Sequence, residues 1–385
     1  MRCKSVSSVQ IDPYEAGTEI GEALRPIEPE AILLFVSVHY ADFSELFEGI
    51  YDGLDNHEVI IFGGTGDGVY ETSRVENIGV CALGFNTNRS VTWTLSIETG
   101  IAADSFGVAQ RCAQRLKDKA GKDLQLSIIM AGMSGDGNLL TSGIRSVLST
   151  PCVGGLTGDD RRYEQGIVLA NGRMYEDAVA LLGMSGNVSF ELNSASGWKP
   201  MGQSGTIEKT DGVHVSQIGG KTAVEFINQQ FGQKPTESDI GVLTMALYQD
   251  PHSDKFATRT PFNIDQETGV LSYFASIEEG TTVKVCYATR DDVINGVYEA
   301  LNGLPEPDFE PAAAFVISCA GRKWILGNRT KEEVERILPA LPKSLPLIGL
   351  PAMGEIAPLR LEDGAYSGTY FHNVTYIITL IGSRT

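Results

Sequence analysis

Apolar residues fall into short continuous runs separated by stretches of helical spacing, and the same succession occurs three times along the chain. The runs Ala31–Ser37, Leu126–Gly132 and Ala312–Ser318 read as buried strands that end in small or polar residues. Apolar positions at helical spacing follow each of them, over Asp42–Gly53, Leu139–Ser149 and Lys331–Leu341. A second strand then runs into a glycine-rich loop closed by an acid: Val59–Asp67, Pro151–Asp159 and Pro346–Glu355. A further strand pattern ends each unit, at Asn77–Phe85, Ala178–Met184 and Asn373–Ile381. One such match carries little weight; three in the same order mark a structural repeat.

Between the repeats, Ala102–Lys119 predicts an amphipathic helix after a strand at Ser90–Ile97. Thr222–Phe231 predicts another, stopped by Gly232 and Pro235, and Asp291–Asn302 opens on two acids where the helix dipole favours them. Strands are expected at Ile240–Tyr248, Val270–Ile277 and Thr281–Ala288, with Glu278-Glu-Gly280 turning the last two into a hairpin. This alternation predicts an α/β (mixed α+β) protein of two domains, with mixed sheets and flanking helices. The Gly-rich, polar stretch Gly202–Gly220 places the boundary, giving an N-terminal domain over 31–215 and a C-terminal one over 216–382.

Composition changes this picture in two ways. Glycine supplies 43 of 385 residues, about 11% against a typical ~7%. The net charge of −19 repels the phosphate backbone, so nucleic acid is not an expected partner. No apolar run reaches the ~20 residues of a spanning helix. The polar start Met1–Gln10 lacks the apolar centre of a signal peptide, so a cytoplasmic location without membrane insertion is expected. Six scattered cysteines form no CxxC pair and no cluster with histidine, and no metal site is expected.

Candidate chemistry gathers on the loops. Glycine at a strand end lets backbone amides approach a ligand, and Gly64, Asp67, Gly158, Asp159, Gly354 and Glu355 are the candidates. Gly64-Thr-Gly-Asp-Gly68 is followed by Val69-Tyr-Glu rather than a helix start, so it is not a dinucleotide fingerprint. Ser318-Cys-Ala-Gly-Arg322 places a thiol and a guanidinium together after a buried strand. Arg322 suits an anionic group, since a charge so near the core needs a partner. Cys319 reads either as a core filler or as a reactive thiol, and a Cys319–His372–Glu355 triad can be drawn.

With these residues assembled, the chain resembles the FIST family, bacterial sensory modules built of an N-terminal and a C-terminal FIST domain. The motifs are Ser318-Cys-Ala-Gly-Arg322, Met353-Gly-Glu-Ile-Ala-Pro358 and Phe371-His-Asn-Val-Thr375. Support upstream comes from Gly154-Gly, Gly158-Asp-Asp160, Gly197-Trp-Lys-Pro-Met-Gly202 and Ile277-Glu-Glu-Gly280. Two places depart from the family pattern, Gly349-Leu-Pro-Ala before the Gly-Glu pair and Asp67-Gly68 in the first loop. The resemblance implies a non-catalytic sensor of signal transduction that binds a small molecule such as an amino acid. It also implies a separate partner, a histidine kinase or a cyclic-di-nucleotide signalling enzyme. The expected ligand-binding residues are Cys319, Arg322, Met353, Gly354, Glu355, His372 and Asn373, with Gly64, Asp67, Gly158 and Asp159 beside them. Arg322 is expected to hold a carboxylate and Glu355 an ammonium. No cofactor is expected; the alternatives are a haem-based nitric-oxide sensor and a Cys319-dependent enzyme.

Overall fold

The computed structural model describes residues 1–40, 42–232, 234–236, 239–240, 242–250, 252 and 254–384. The repeat is present and is longer than the pattern predicts, because each unit opens with an additional strand, followed in turn by a helix. In unit 1 these are Arg2–Ser8 and Pro13–Leu24; in unit 2, Val91–Thr99 and Ser105–Ala120; in unit 3, Ser189–Ala195 and Arg290–Asn302. The helix Pro13–Leu24 carries clear start signals, Asp12 accepting from the Glu15 amide and Pro13 in the first turn.

Each unit forms a sheet of the same order. The opening strand lies at the edge, the closing strand comes next, and two parallel strands follow. In unit 1 that order is Arg2–Ser8, Val80–Asn86, Ala31–Ser37 and Ile60–Gly66. The far edge is then covered by a hairpin from a different unit. The unit 2 hairpin, Val168–Ala170 with Arg173–Tyr175, extends the unit 1 sheet. The unit 3 hairpin, Glu355–Arg360 with Tyr366–His372, extends the unit 2 sheet, and the unit 1 hairpin, Val69–Glu71 with Arg74–Glu76, extends the unit 3 sheet. The exchange is cyclic, so the three units lock one another.

The three sheets face inward on one shared core and together make a three-sheet barrel. Phe35 and Phe62 from the first meet Ile128 and Met130 from the second and Phe315 and Ile317 from the third. The Phe35 and Phe315 rings stack across two sheets at 5.8 Å. Helices cover the outer faces, so the central strands are buried on both sides and read as unbroken apolar runs. Much of the glycine excess serves this packing. A Cβ at Gly63, Gly154 or Gly349 would lie 1.7, 1.9 or 2.1 Å from the carbonyl oxygen of the neighbouring strand. A Cβ at Gly17 or Gly49 would lie 2.2 Å from a backbone oxygen of the facing helix.

Residues 199–287 interrupt unit 3 between its opening strand and helix. They build a separate sheet in the order Ala257–Arg259, Thr244–Tyr248, Thr282–Tyr287, Lys199–Asp211, His214–Ile218, Leu271–Tyr273 and Pro261–Ile264. The helix Ala223–Phe231 packs on it, and the insert has its own core. Gly202–Gly220, expected as a boundary, is mostly two long strands of this insert. Residue 215 therefore lies within a strand, and the sheets of units 2 and 3 each join strands from both sides of it. The hairpin expected at Glu278–Gly280 does not form. Leu271–Tyr273 pairs with His214–Ile218 and Pro261–Ile264, whereas Thr282–Tyr287 pairs with Lys199–Asp211 and Thr244–Tyr248. The helix expected over Lys331–Leu341 is broken into Glu332–Glu335 and a 3-10 turn at Leu338–Ala340, where Pro339 interrupts the hydrogen-bond ladder.

Candidate functional site

The three glycine loops meet at one end of the barrel. The Asp67 amide donates to Pro351 O at 3.0 Å, the Gly158 amide to Thr65 O at 2.8 Å, and the Met353 amide to Leu156 O at 3.1 Å. These three bonds run cyclically, so amides that an open loop would offer to a ligand hold the loops together instead. The acids also differ in place. Counted from the equivalent glycines 63, 154 and 349, they stand four, five and six residues on, at Asp67, Asp159 and Glu355.

Asp67 and Asp159 shape the segment that follows. Asp159 accepts from the amides of Tyr163, Glu164 and Gln165 at 3.1, 2.6 and 3.0 Å. Asp67 accepts from the Asp160 amide at 2.8 Å and the Trp324 indole at 3.0 Å. Burial raises the Asp67 carboxyl above the ordinary carboxylate range, against the pull of these donors and Lys323. The bonds restrain a strained turn, since Asp160, Arg161 and Tyr163 all have positive φ (56°, 67° and 55°). Gly64 and Gly158 give the close approach beneath it: a Cβ at Gly158 would meet Asp67 Oδ1 at 2.6 Å, and one at Gly64 the Thr157 methyl at 2.9 Å.

Above the loops, between the barrel end and the insert, lies a cavity of about 600 Å³. The barrel supplies Cys319, Gly321, Trp324, Met353 and Asn373, the strained turn supplies Arg161 and Tyr163, and the insert supplies Phe262, Tyr273 and Phe274. The lining is mainly aromatic and apolar. Arg161 lies over the Trp324 ring at 4.2 Å, and Tyr163 meets the same ring edge-on at 6.2 Å. The Tyr273 hydroxyl is fully buried and has no hydrogen-bond partner among the described residues. An unmet buried donor is costly.

The residues expected to bind are partly assembled here. Cys319, Met353 and Asn373 line the cavity. The Asn373 side chain accepts from the Thr260 amide at 3.2 Å, and its own amide donates to Thr258 O at 3.0 Å, tying barrel to insert. Glu355 stands behind Cys319, fully buried. Its Oε2 accepts from the Thr375 amide at 2.7 Å, whereas Oε1 has no partner other than the neighbouring thiol. Burial pushes this carboxyl up to about 8, so it is mostly neutral at pH 7. Burial, then Glu355, raises the Cys319 thiol well above the ordinary range. Gly354 lies under the wall, where a Cβ would strike the Phe371 ring at 2.2 Å.

Arg322 and His372 are placed otherwise. Arg322 is fully buried and every bond it makes points inward. Its Nε donates to Glu333 Oε1 at 2.8 Å, Nη1 to Ser196 O at 2.6 Å and Nη2 to Val293 O at 2.8 Å. Glu333 in turn accepts from Ser318 Oγ at 2.7 Å and the Tyr70 hydroxyl at 2.8 Å. The charge needed a partner, and the protein supplies it, so this guanidinium does not reach the cavity to clamp an anion. The His372 ring pairs with Ala357 O at 3.1 Å, and burial pushes it down to about 4, leaving it neutral. Among the described residues, no triad with Cys319 forms around it and no histidine lines the cavity.

Sequence reasoning did not find Tyr273, Phe262 and Phe274, which come from the insert. Trp324 could have been found, two residues past the Ser318–Arg322 motif.

The FIST N domain model matches residues 30–221, and the FIST C domain model residues 223–358. The chain belongs to the FIST family. FIST domains are sensory domains of signal transduction. The C-terminal match stops before the strand Tyr366–His372, so Phe371–Thr375 lies beyond it. No curated protein matches the chain. Among solved structures, a cyanuric acid hydrolase from A. caulinodans is similar at 9% identity, covering 100% of this FIST chain and 99% of that one, with a TM-score of 0.37. PurLQS from Thermotoga maritima is similar at 9% identity (99% of this chain, 72% of that one, TM-score 0.21). T. maritima PurL complexed with FGAR is similar at 12% identity, with the same coverage and a TM-score of 0.22.

Proposed function

We propose that this FIST protein senses a small metabolite in the cavity between barrel and insert and reports it to a separate partner protein. The observation that carries the reading is an aromatic cavity of about 600 Å³ walled by barrel and insert, with Tyr273, whose buried hydroxyl has no partner among the described residues, in its lining. A ligand with an apolar or aromatic body and one polar end fits this lining. An amino acid with a large apolar side chain is such a molecule. Its carboxylate would be held by Arg161 at the cavity wall rather than by Arg322, and its polar end would satisfy Tyr273. Glu355, mostly neutral and behind the thiol, offers a hydrogen bond rather than a charge. The cavity has walls from two bodies, so an occupant bridges them and favours one relative position, which a partner can read. A histidine kinase or a cyclic-di-nucleotide enzyme remains the proposed class of partner.

A thermal-shift screen of amino acids and related metabolites tests this. Saturation at a hundredfold Kd stabilises by ~2.7 kcal/mol, an easily measured shift. A Cβ on Gly321 would make only ordinary contacts, at 3.5 Å, so the larger side chain of Gly321→Leu occupies part of the cavity. The expected result is at least one binder, weakened in Gly321→Leu. Binders indifferent to that substitution would place the site elsewhere.

A further inference from the structure

The insert strand Ala257–Arg259 separates the aromatic cavity from a second one. Thr258 and Thr260 engage Asn373 on one side, while Arg259 lines a cavity of about 340 Å³ on the other. Here the lining is polar, with Arg145, Asn138 and Tyr370 from outside the insert and Ser276 and Arg259 from the insert.

Arg259 is only 2% exposed, yet no carboxylate lies within ion-pair distance of it among the described residues. Its Nη1 donates to Phe371 O at 3.0 Å and, more weakly, to Thr258 O at 3.4 Å, and the guanidinium lies 5.0 Å from the Phe371 ring. The Nε has no partner. Asp136 and Glu355 act on it only at longer range. The Asp136 carboxylate is already engaged by the amides of Asn138, Leu139 and Ser276, at 2.9, 3.1 and 2.9 Å. Burial pushes Arg259 down to about 10, so it keeps its charge at neutral pH. A buried cation with an orphaned donor and no carboxylate in contact is unfavourable by itself, whereas the other fully buried guanidinium, Arg322, has Glu333. The half-buried Arg145 adds a second positive group, held by Thr369 O at 2.6 Å and Ser142 Oγ at 2.9 Å. At the rim stand Glu278 and Glu279, both exposed. They repel a doubly charged anion more than a singly charged one.

We propose that this second cavity binds a compact monoanion of the carboxylate class, with Arg259 as its main contact and Arg145 as support. The site is independent of the aromatic cavity and of the ligand proposed there. The bound anion adds to the ties that Arg259 and Ser276 of the insert already make there to Phe371 and Asp136.

The full-length protein, titrated with sodium acetate at constant ionic strength against chloride, tests the proposal by carbon-13 acetate line broadening and thermal shift. Saturable binding is expected, at least tenfold weaker in Arg145→Gln and absent in Arg259→Gln. No saturable binding, or binding that survives Arg259→Gln, overturns the proposal. Should Arg259→Gln fail to fold, Arg145→Gln decides, and undiminished acetate binding there overturns it equally. Inorganic phosphate binding more tightly than acetate would contradict the monoanion class.

Discussion

Replacing Glu333 by glutamine removes the negative charge that faces Arg322. The shape is kept and one oxygen still accepts from Nε, but the new amide opposes the hydroxyls of Ser318 and Tyr70, which now donate to the carboxylate. Both partners are fully buried, so water cannot compensate. Breaking a buried pair from one side costs about 3–5 kcal/mol. Unfolding entropy of ~2.1 cal/mol/K per residue gives roughly 0.8 kcal/mol/K for a chain of 385 residues. The melting temperature should therefore fall by about 4–6 °C in scanning calorimetry. The double substitution Arg322→Met with Glu333→Leu removes both charges and should recover most of that loss. Ligand affinity in the aromatic cavity should be unchanged wherever the variant is folded. A melting shift below about 1 °C would refute the structural role given to the pair, and a selective loss of ligand binding would return Arg322 to the ligand site.

Four other consequences are open to measurement. Glu355 holds a proton in the fold that the unfolded chain releases above about pH 4.5, so its contribution to stability falls as pH rises from there to about 8. His372, pushed down to about 4, refuses a proton the unfolded chain takes up below 6.5, so its contribution falls as pH drops from 6.5 to about 4. Urea unfolding of Glu355→Gln should lose the decline between pH 6.5 and 8, and a wild-type decline persisting in that variant would contradict the assignment. Cys319, raised by burial and by Glu355, should label slowly with iodoacetamide at pH 7; fast labelling would revive a reactive-thiol reading. Asp159→Ala strips three amide bonds from the turn carrying Arg161 and Tyr163, and should cost about 2–4 kcal/mol and weaken ligand binding. Intact affinity in that variant would show the turn to be irrelevant to the site.

The threefold repeat was legible because strands buried on both faces carry unbroken apolar runs. The exchange of hairpins was not, because Tyr70 pairs with Gly349 and Gly64 with Val168 across distances that no local pattern encodes. The insert was misread for a different reason. Its long strand Lys199–Asp211 is exposed or half-exposed at nearly every position, so neither alternation nor an apolar run betrays it. The same gap hid the site. Cys319, Met353 and Asn373 could be named from their motifs, whereas Tyr273 lies in an unremarkable Leu-Ser-Tyr strand and becomes informative only once its hydroxyl is seen to lack a partner. Arg322 shows the converse error: the motif was right, but its counter-charge, Glu333, is internal.

The central claim, a metabolite site between barrel and insert, is tested most directly through Trp324. With Trp93 and Trp198 replaced by phenylalanine, Trp324 is the remaining indole, and it lines the cavity. Titration of this protein with a screened binder should change its fluorescence saturably, with about tenfold weaker affinity in Tyr273→Phe, the effect of one lost hydrogen bond near 1.4 kcal/mol. Affinity should also fall in Gly321→Leu. A saturable signal at unchanged affinity in both variants would contradict the account.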